Sequence, residues 1–185
     1  VALANVIAIG TCARNIVLVG DQMQLGQPVQ GVHPGESGQS VLDYLLQGEP
    51  TVRPEQGLFL GESWRMHPDV CQFISDVIYG GELHAHPDCS NQKLVLDQPV
   101  PPGIKATGLG FVPIEHAGCS QSSEQEAACI EAVYSSLLNQ RYTDKQGREY
   151  PITTQDILVI SPYNLQVNLL KQKLPEGALV GTVDK

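Results

Sequence analysis

The chain has 185 residues, of which 42% are hydrophobic and 17% are charged. This composition excludes a disordered chain, and no apolar run is long enough for a membrane span, so one globular domain, or one domain with part of another, is expected. The net charge of −9 argues against a general nucleic-acid binder, which normally presents a basic face.

The N-terminal residues and the cysteines bear on how the protein is processed and on the cellular compartment in which it resides. The chain begins with Val1, without an initiator Met or a basic leader, and so reads as the middle of a longer protein. Its five cysteines include no CxxC pair, which disfavours a disulfide framework or a zinc ribbon. We therefore expect a cytoplasmic protein that does not contact membranes.

The first half of the chain alternates helix and strand patterns. Helices are predicted at 1–13, from Ser37 or Ser40 to Leu46, and from Pro68 to Gly80. Residues 16–19 read IVLV, a continuous apolar run typical of a strand buried on both faces. A short strand is also expected at 58–60.

The second half begins with a long irregular excursion at 82–108 and continues the alternation. Strands are predicted at 111–116, 157–160 and 179–183, with a turn at 144–147. Ser123 and Glu126 form a capping-box pattern at the start of a helix, and another helix follows residue 164. Strands alternating with helices predict an α/β fold with a mostly parallel sheet flanked by helices.

Ligands of open parallel sheets bind beyond the carboxyl ends of the strands. Asp21, Ser161 and Asp184 each follow a predicted strand. The sequence therefore directs attention to the segments around these three positions.

Residues 20–25 read GDQMQL. Gly20 would let the backbone turn sharply, and Asp21 and Gln24 would place an acceptor and an amide at the sheet edge. Such an amide can sense a γ-phosphate and orient an attacking water. The alternative is a turn that uses Gly20 and Asp21 only for its own geometry.

Residues 64–68 read WRMHP. The guanidinium of Arg65 could fork onto phosphate oxygens and stabilise charge in a transition state. A surface salt bridge is the alternative for Arg65. Trp64 could offer a flat face to a base, although packing is the commoner role of a tryptophan.

Two later segments could contact phosphates. Ser161, Pro162, Tyr163 and Asn164 bring backbone amides, a hydroxyl and an aromatic ring to a helix start, which can hold a strand's phosphates and stack a base. A well-capped turn is the alternative. Thr182 can present a hydroxyl at the end of the last strand.

No metal site is expected. His84, His86 and Cys89 lie within six residues, but no fourth ligand has suitable spacing, so solvated loop residues are the preferred interpretation.

Taken together, these segments resemble the superfamily 1B helicases, the group that includes RNA-surveillance and Okazaki-fragment-processing enzymes. The ordered matches are residues 18–25, residues 62–68 continuing to Phe73, Tyr79 and Leu83, residues 160–166, and residues 180–185. Trp64 stands where tyrosine is commoner in the family.

The resemblance implies a truncated RecA-like fold of the P-loop NTPase class. It implies that residues 1–50 end the first RecA-like domain and that 51–185 form an incomplete second one. The parent would use ATP and Mg²⁺ to move along single-stranded DNA or RNA. Gln24 and Arg65 would then face a shared nucleotide cleft, with Gly20 and Asp21 near the cofactor, and the 161–164 turn and Thr182 near the strand.

The sequence lacks a GxxxxGK[ST] loop and an Asp-Glu pair before residue 16. The chain alone is therefore expected to be inactive. Two rival interpretations remain: an interaction domain with a degenerate helicase fold, and another α/β phosphate-binding enzyme, such as a kinase or phosphatase. The sequence does not decide the oligomeric state.

Overall fold

The computed structural model describes residues 1–24, 26 and 31–183. Its internal contacts divide the chain into two units. Unit 1 comprises Val1–Glu62 and Gln72–His84, and unit 2 comprises Ser63–Cys71 and Ala85–Lys185. The helices are α1 (Leu3–Gly10), α2 (Val41–Leu46), α3 (Pro68–Ile78), α4 (Glu124–Leu137) and α5 (Asn164–Lys173), with a 3₁₀ helix at Pro87–Asn91. The strands are β1 (Glu62–Ser63), β2 (His84–Ala85), β3 (Lys93–Val95), β4 (Arg141–Thr143), β5 (Glu149–Pro151), β6 (Leu158–Ile160) and β7 (Leu179–Gly181).

Unit 1 contains α1 and α2, which are joined by backbone hydrogen bonds. The amide of Leu3 donates to the carbonyl of Gln39 over 2.8 Å, and Ala2 forms an isolated antiparallel bridge with Ser40. Val41 is buried at the start of α2, whereas no residue of α1 is buried. The two helices predicted for this part of the chain, at 1–13 and ending at Leu46, are therefore confirmed as α1 and α2.

Unit 2 contains a parallel pair with its connecting helix. Strands β6 and β7 are parallel, with Leu158 opposite Leu179, and α5 lies between them in the chain. This β–α–β connection is what the alternating pattern of the last thirty residues predicts.

Helices α4 and α5 supply the core of unit 2. Ala127 and Tyr134 of α4 are fully buried with Leu170 of α5, and Leu174 joins the same cluster. Ser123 caps α4, since its hydroxyl oxygen accepts from the amide of Glu126 over 3.2 Å. The predicted cap at Ser123 and the apolar stripe of α4 are therefore confirmed, but the reciprocal half of the capping box is not, because the backbone amide of Ser123 donates to Oε1 of Gln166 over 2.7 Å and not to Glu126.

A second sheet in unit 2 was not anticipated. Strands β3, β4 and β5 form an antiparallel sheet in which Lys93 pairs with Thr143 and Thr143 pairs with Glu149. The predicted turn at 144–147 links β4 to β5, and Gly147 adopts a φ of 75° there. This hairpin reaches back to β3 in the region expected to be irregular.

Three predicted strands are wrong. Residues 16–19, 58–60 and 111–116 form no strand within the described part of the chain. Val17 and Phe111 are 86% and 82% exposed, so neither run is buried. An apolar run becomes a strand only where neighbouring strands accept its backbone groups, and no described strand pairs with these runs.

The division between the units falls inside β1, β2 and α3. Helix α3 begins at Pro68 and ends before Gly80, whose φ of 61° stops the helix. Both boundaries agree with the sequence prediction. Helix α3 therefore directly connects the segment that contains Arg65 to the residues that follow Ile78.

Candidate functional site

The Asp21 loop, residues 20–24, is organised around one carboxylate in unit 1. Oδ1 of Asp21 accepts from the backbone amide of Met23 over 2.9 Å. Oδ2 accepts from Nε2 of Gln24 over 3.3 Å and from the hydroxyl of Tyr79 over 2.5 Å. The loop thus combines a local turn with a bond to a residue 58 positions later.

The bond to Asp21 determines how the amide of Gln24 is oriented. An ionised carboxylate can only accept hydrogen bonds, so the nitrogen of the amide must face it. Oε1 of Gln24 therefore remains an acceptor for a group outside the loop. The side chain of Gln24 is exposed, as a residue that meets a ligand must be.

The Asp21 loop borders a cavity of about 460 Å³ in unit 1. Gly20, Asp21 and Gln24 all line this cavity, so three of the predicted nucleotide-site residues share one surface. The φ of Gly20 lies outside the left-handed region, and a Cβ there would meet Leu42 Cδ1 at 3.1 Å. The contact is with the end of a flexible side chain of α2, so neither this contact nor the φ of Gly20 requires glycine here.

The Arg65 segment, residues 63–67, lies in unit 2. The backbone amide of Arg65 is 3.4 Å from Oγ of Ser63, and its guanidinium is exposed. Arg65 forms no ion pair with any residue in the described ranges. The surface salt bridge that rivalled a phosphate-binding role for Arg65 is therefore absent from this part of the chain.

Trp64 stacks on a histidine. Its ring stacks on that of His86 at an angle of 22° with 3.4 Å between the ring centroids, and the residue is 54% exposed. Nδ1 of His86 also accepts from the amide of Asp88 over 3.2 Å. The histidine expected to be a solvated loop residue is therefore a packing partner of Trp64.

The start of α3 is fixed by two side chains of unit 2. Nδ1 of His67 accepts from the amide of Asp69 over 3.1 Å, and the hydroxyl of Thr107 donates to Oδ2 of Asp69 over 2.6 Å. These bonds hold the chain that immediately follows Arg65. Thr107 carried no sequence signal, because it lies in the excursion expected to be irregular.

The Ser161 turn, residues 161–164, connects β6 to α5. The amide of Ser161 donates to the carbonyl of Gly181 over 3.1 Å, and its hydroxyl oxygen accepts from the amide of Tyr163 over 3.4 Å. Ser161 is buried, whereas Tyr163 is 49% exposed. The ring of Tyr163, more than the hydroxyl of Ser161, is thus accessible to a ligand.

Thr182 lies close to the Ser161 turn because Ile160 pairs with Gly181 in the parallel sheet. The residues that follow these two strands, Ser161 and Thr182, therefore share one sheet edge. Pro162 and Asn164 are exposed at the same turn, and Thr182 is half-buried. The predicted set of residues 161–164 and Thr182 comes together, while Leu25, Asp184 and Lys185 lie outside the described residues.

The remaining polar clusters do not suggest a metal. Across the described ranges, no group of three His, Cys, Asp or Glu side chains could hold a metal ion. Cys89 is buried and its Sγ lies 3.9 Å from the carbonyl oxygen of Ser63.

No helix among the residues described has the length and hydropathy needed to cross a membrane.

Tyr79 is the residue of this site whose contact the sequence did not reveal. Burial first, then its bond to Asp21 and the charge of that carboxylate, raise the pKa of Tyr79 to about 12. The hydroxyl, a donor at neutral pH as in any tyrosine, therefore keeps its proton to a higher pH than usual. The position was noticed only as part of a resemblance, because its partner Asp21 is far away in sequence.

Comparison with known proteins agrees with the resemblance. The family model described as "AAA domain" matches residues 38–185. DNA-binding protein SMUBP-2 of Rattus norvegicus is 29% identical over 88% of this chain and 16% of its own length. The DNA polymerase alpha-associated DNA helicase A of Schizosaccharomyces pombe is 27% identical over 93% of this chain and 26% of its own length.

A third relative has a name connected with RNA. The Regulator of nonsense transcripts 1 homolog of Drosophila melanogaster is 31% identical over 90% of this chain. The chain spans 14–26% of the length of these three relatives. The matched region includes the β6–α5–β7 connection, which is consistent with a RecA-like α/β domain. The chain therefore belongs to the AAA domain family and, within it, to the superfamily 1B helicases.

Proposed function

We propose that this chain is part of an ATP-dependent helicase that couples nucleotide hydrolysis to movement along single-stranded DNA or RNA. The observation that carries the proposal is the Asp21 loop. There the amide of Gln24 is oriented by a carboxylate, borders a cavity and retains an acceptor oxygen. An oriented amide is what hydrolysis of a γ-phosphate uses to position the attacking water.

Arg65 is assigned the role of stabilising charge on the transferring phosphate. Its guanidinium is exposed and has no acidic partner in the described part of the chain. A planar guanidinium can donate two hydrogen bonds to phosphate oxygens. Gln24 and Arg65 would act on the same nucleotide, from the first RecA-like domain (residues 1–50) and the second (residues 51–185).

The nucleic-acid strand is assigned to the Ser161 turn and Thr182. Tyr163 offers an exposed ring on which a base can stack, and backbone amides at the start of α5 can meet phosphates. This kind of contact requires few cations, which suits a chain with a net charge of −9. We also propose that the protein resides in the cytoplasm.

ATP fits the exposed polar groups, with Gly20 and Asp21 on the same cavity wall as Gln24. Mg²⁺ does not fit the described residues. The carboxylate of Asp21 already accepts from Met23, Gln24 and Tyr79, and no cluster of ligands surrounds it. The 185 residues alone are expected to lack ATPase activity because they contain no phosphate-binding loop.

ATP hydrolysis by the full-length gene product tests the proposal. We expect turnover stimulated by single-stranded nucleic acid, and a loss of about a thousandfold or more in kcat for Arg65→Ala, the size typical of an arginine that stabilises phosphoryl transfer. Arg53→Ala is the matched control, because Arg53 is exposed and paired with Glu49 over 3.2 Å.

Parallel assays with DNA and RNA of one sequence would identify the strand that stimulates hydrolysis. Unchanged turnover in Arg65→Ala would contradict the role of Arg65. A full-length protein that binds partners but hydrolyses no nucleotide would instead be an interaction domain with a degenerate helicase fold.

A further inference from the structure

The hydroxyl of Tyr79 has a single acceptor in the described structure, Oδ2 of Asp21 at 2.5 Å. Its ring is also fixed, because it packs against Phe59 with 5.9 Å between the ring centroids. The backbone amide of Tyr79 donates to Ser75 over 2.9 Å. Ring and backbone thus hold the hydroxyl in place before any ligand arrives.

The same oxygen of Asp21 accepts from Gln24. The amide of Met23 bonds the other oxygen, so without Tyr79 the half-buried carboxylate of Asp21 would be held only by Met23 and by Gln24 itself, both from the same loop. Two donors on one oxygen restrict rotation of the carboxylate about its own bond. A carboxylate that cannot rotate keeps the amide of Gln24 in one orientation.

We propose that Tyr79 is a positioning residue for nucleotide hydrolysis, acting through Asp21 on the side-chain amide of Gln24. The inference rests on the proposed function, since it assumes that Gln24 orients the attacking water. Tyr79 itself touches neither nucleotide nor water.

The arrangement differs from an ordinary structural hydrogen bond in what it predicts for kinetics. A water-orienting amide acts in the transition state, so its misalignment lowers kcat more than it raises KM. A tyrosine that merely stabilised the fold would lower the amount of active enzyme and would leave KM and the dependence on Gln24 unchanged. Because less active enzyme would also lower the apparent kcat without changing KM, the double-mutant cycle, read together with the thermal unfolding of each variant, separates the two roles.

The test uses the full-length protein with Tyr79→Phe, Gln24→Ala and the double variant. Tyr79→Phe retains the ring that packs on Phe59 and removes only the hydroxyl. We expect kcat to fall about tenfold with KM for ATP changed less than about twofold, as for loss of one hydrogen bond to a charged group. The double variant should match Gln24→Ala alone, because Tyr79 acts through Gln24.

Tyr142→Phe is the matched control, since the pKa of Tyr142 is also raised, by burial first and then by the nearby Asp156, but in unit 2. It should leave kcat and KM unchanged. Thermal unfolding of each variant verifies the fold. If Tyr79→Phe does not fold, Asp21→Asn decides the question, because it keeps the size of the side chain and removes the charge that both donors share.

The outcomes distinguish the inference from the function on which it rests. A fall in kcat for Gln24→Ala with none for Tyr79→Phe, or effects that multiply in the double variant, would overturn the role of Tyr79 alone. Unchanged kcat in Gln24→Ala, or no hydrolysis by the wild-type protein, would overturn the proposed function and the inference with it.

Discussion

The Asp21 loop and the Ser161 turn are both assigned to ligands, yet they are stabilised in different ways. Side chains hold the Asp21 loop: one carboxylate accepts from Met23, Gln24 and Tyr79. Backbone pairing holds the Ser161 turn, because the parallel strands before and after α5 place Ser161 against Gly181. The first loop therefore depends on the protonation and identity of a few groups, and the second depends on the packing of a helix.

The largest effect is expected from Leu170→Ala, which removes a fully buried side chain of α5. The free energy of unfolding of the region around the Ser161 turn should fall by about 2–5 kcal/mol, the usual cost of a cavity left by leucine. Hydrogen exchange of the α4 and α5 amides measures this loss. Leu165→Ala, at a site 55% exposed on the same helix, should change protection by about 0.5 kcal/mol or less.

If Leu170→Ala lowered the protection of backbone amides from hydrogen exchange equally in both units, the contrast between the Asp21 loop and the Ser161 turn would be contradicted. It would mean that the Asp21 loop also depends on the core of unit 2. The expected result is protection lost in α4 and α5 while the amide of Met23, which donates to Asp21 within unit 1, is unaffected.

A smaller effect is expected from Gln166→Ala. The buried amide of Gln166 accepts from the backbone amide of Ser123 over 2.7 Å and donates to the Ser123 carbonyl over 3.3 Å. Its removal leaves the backbone amide of Ser123 without a partner, while the carbonyl still accepts from the amide of Ala127; an unpaired buried group of this kind costs about 1–3 kcal/mol. Chemical denaturation measures the cost, and Asn168→Ala, at an exposed position of α5, is the control.

If Gln166→Ala and Asn168→Ala destabilised the protein equally, the bonds between Gln166 and Ser123 would contribute nothing. The Ser161 turn would then depend on strand pairing and the apolar core alone.

The smallest effect is expected at alkaline pH and only in the Asp21 loop. Because the pKa of Tyr79 is raised from 10.0 to about 12 in the folded protein, its stabilising contribution is complete below pH 10 and is lost as pH rises through about 12. The difference in free energy of unfolding between wild type and Tyr79→Phe should narrow across this window. Protection of α5 should be the same in the two proteins at each pH.

The difference between wild type and variant isolates Tyr79, since the pKa values of Tyr134 and Tyr142 are also raised. A difference that stayed constant from pH 9 to pH 12 would mean that the hydroxyl of Tyr79 does not stabilise the loop.

Features that depend on neighbouring residues in the sequence could be predicted. The capping of α4 by Ser123, the start of α3 at Pro68 and the turn at 144–147 all follow from side chains within a few positions. The β6–α5–β7 connection was also predictable, because its strand–helix–strand pattern fits one compact stretch. Local chemistry decides such elements.

Features that depend on distant residues could not be predicted. Lys93 pairs with Thr143 fifty positions later, and no periodicity in either segment specifies that partner. The IVLV run at 16–19 illustrates the reverse, because its composition suits a strand but a strand also requires neighbours. In the site, the resemblance identified Gln24 and Arg65, whereas the contact between Asp21 and Tyr79 required three-dimensional information.

The stacking of Trp64 on His86 has a practical consequence. Trp64 is the only tryptophan of the chain, so indole fluorescence from these residues reports on the chain immediately before Arg65. Because His86 covers one face of the indole, only the other face can receive an adenine or another ring. A nucleobase that stacked on Trp64 would therefore change the fluorescence of this indole through a single, one-sided contact, with no label attached.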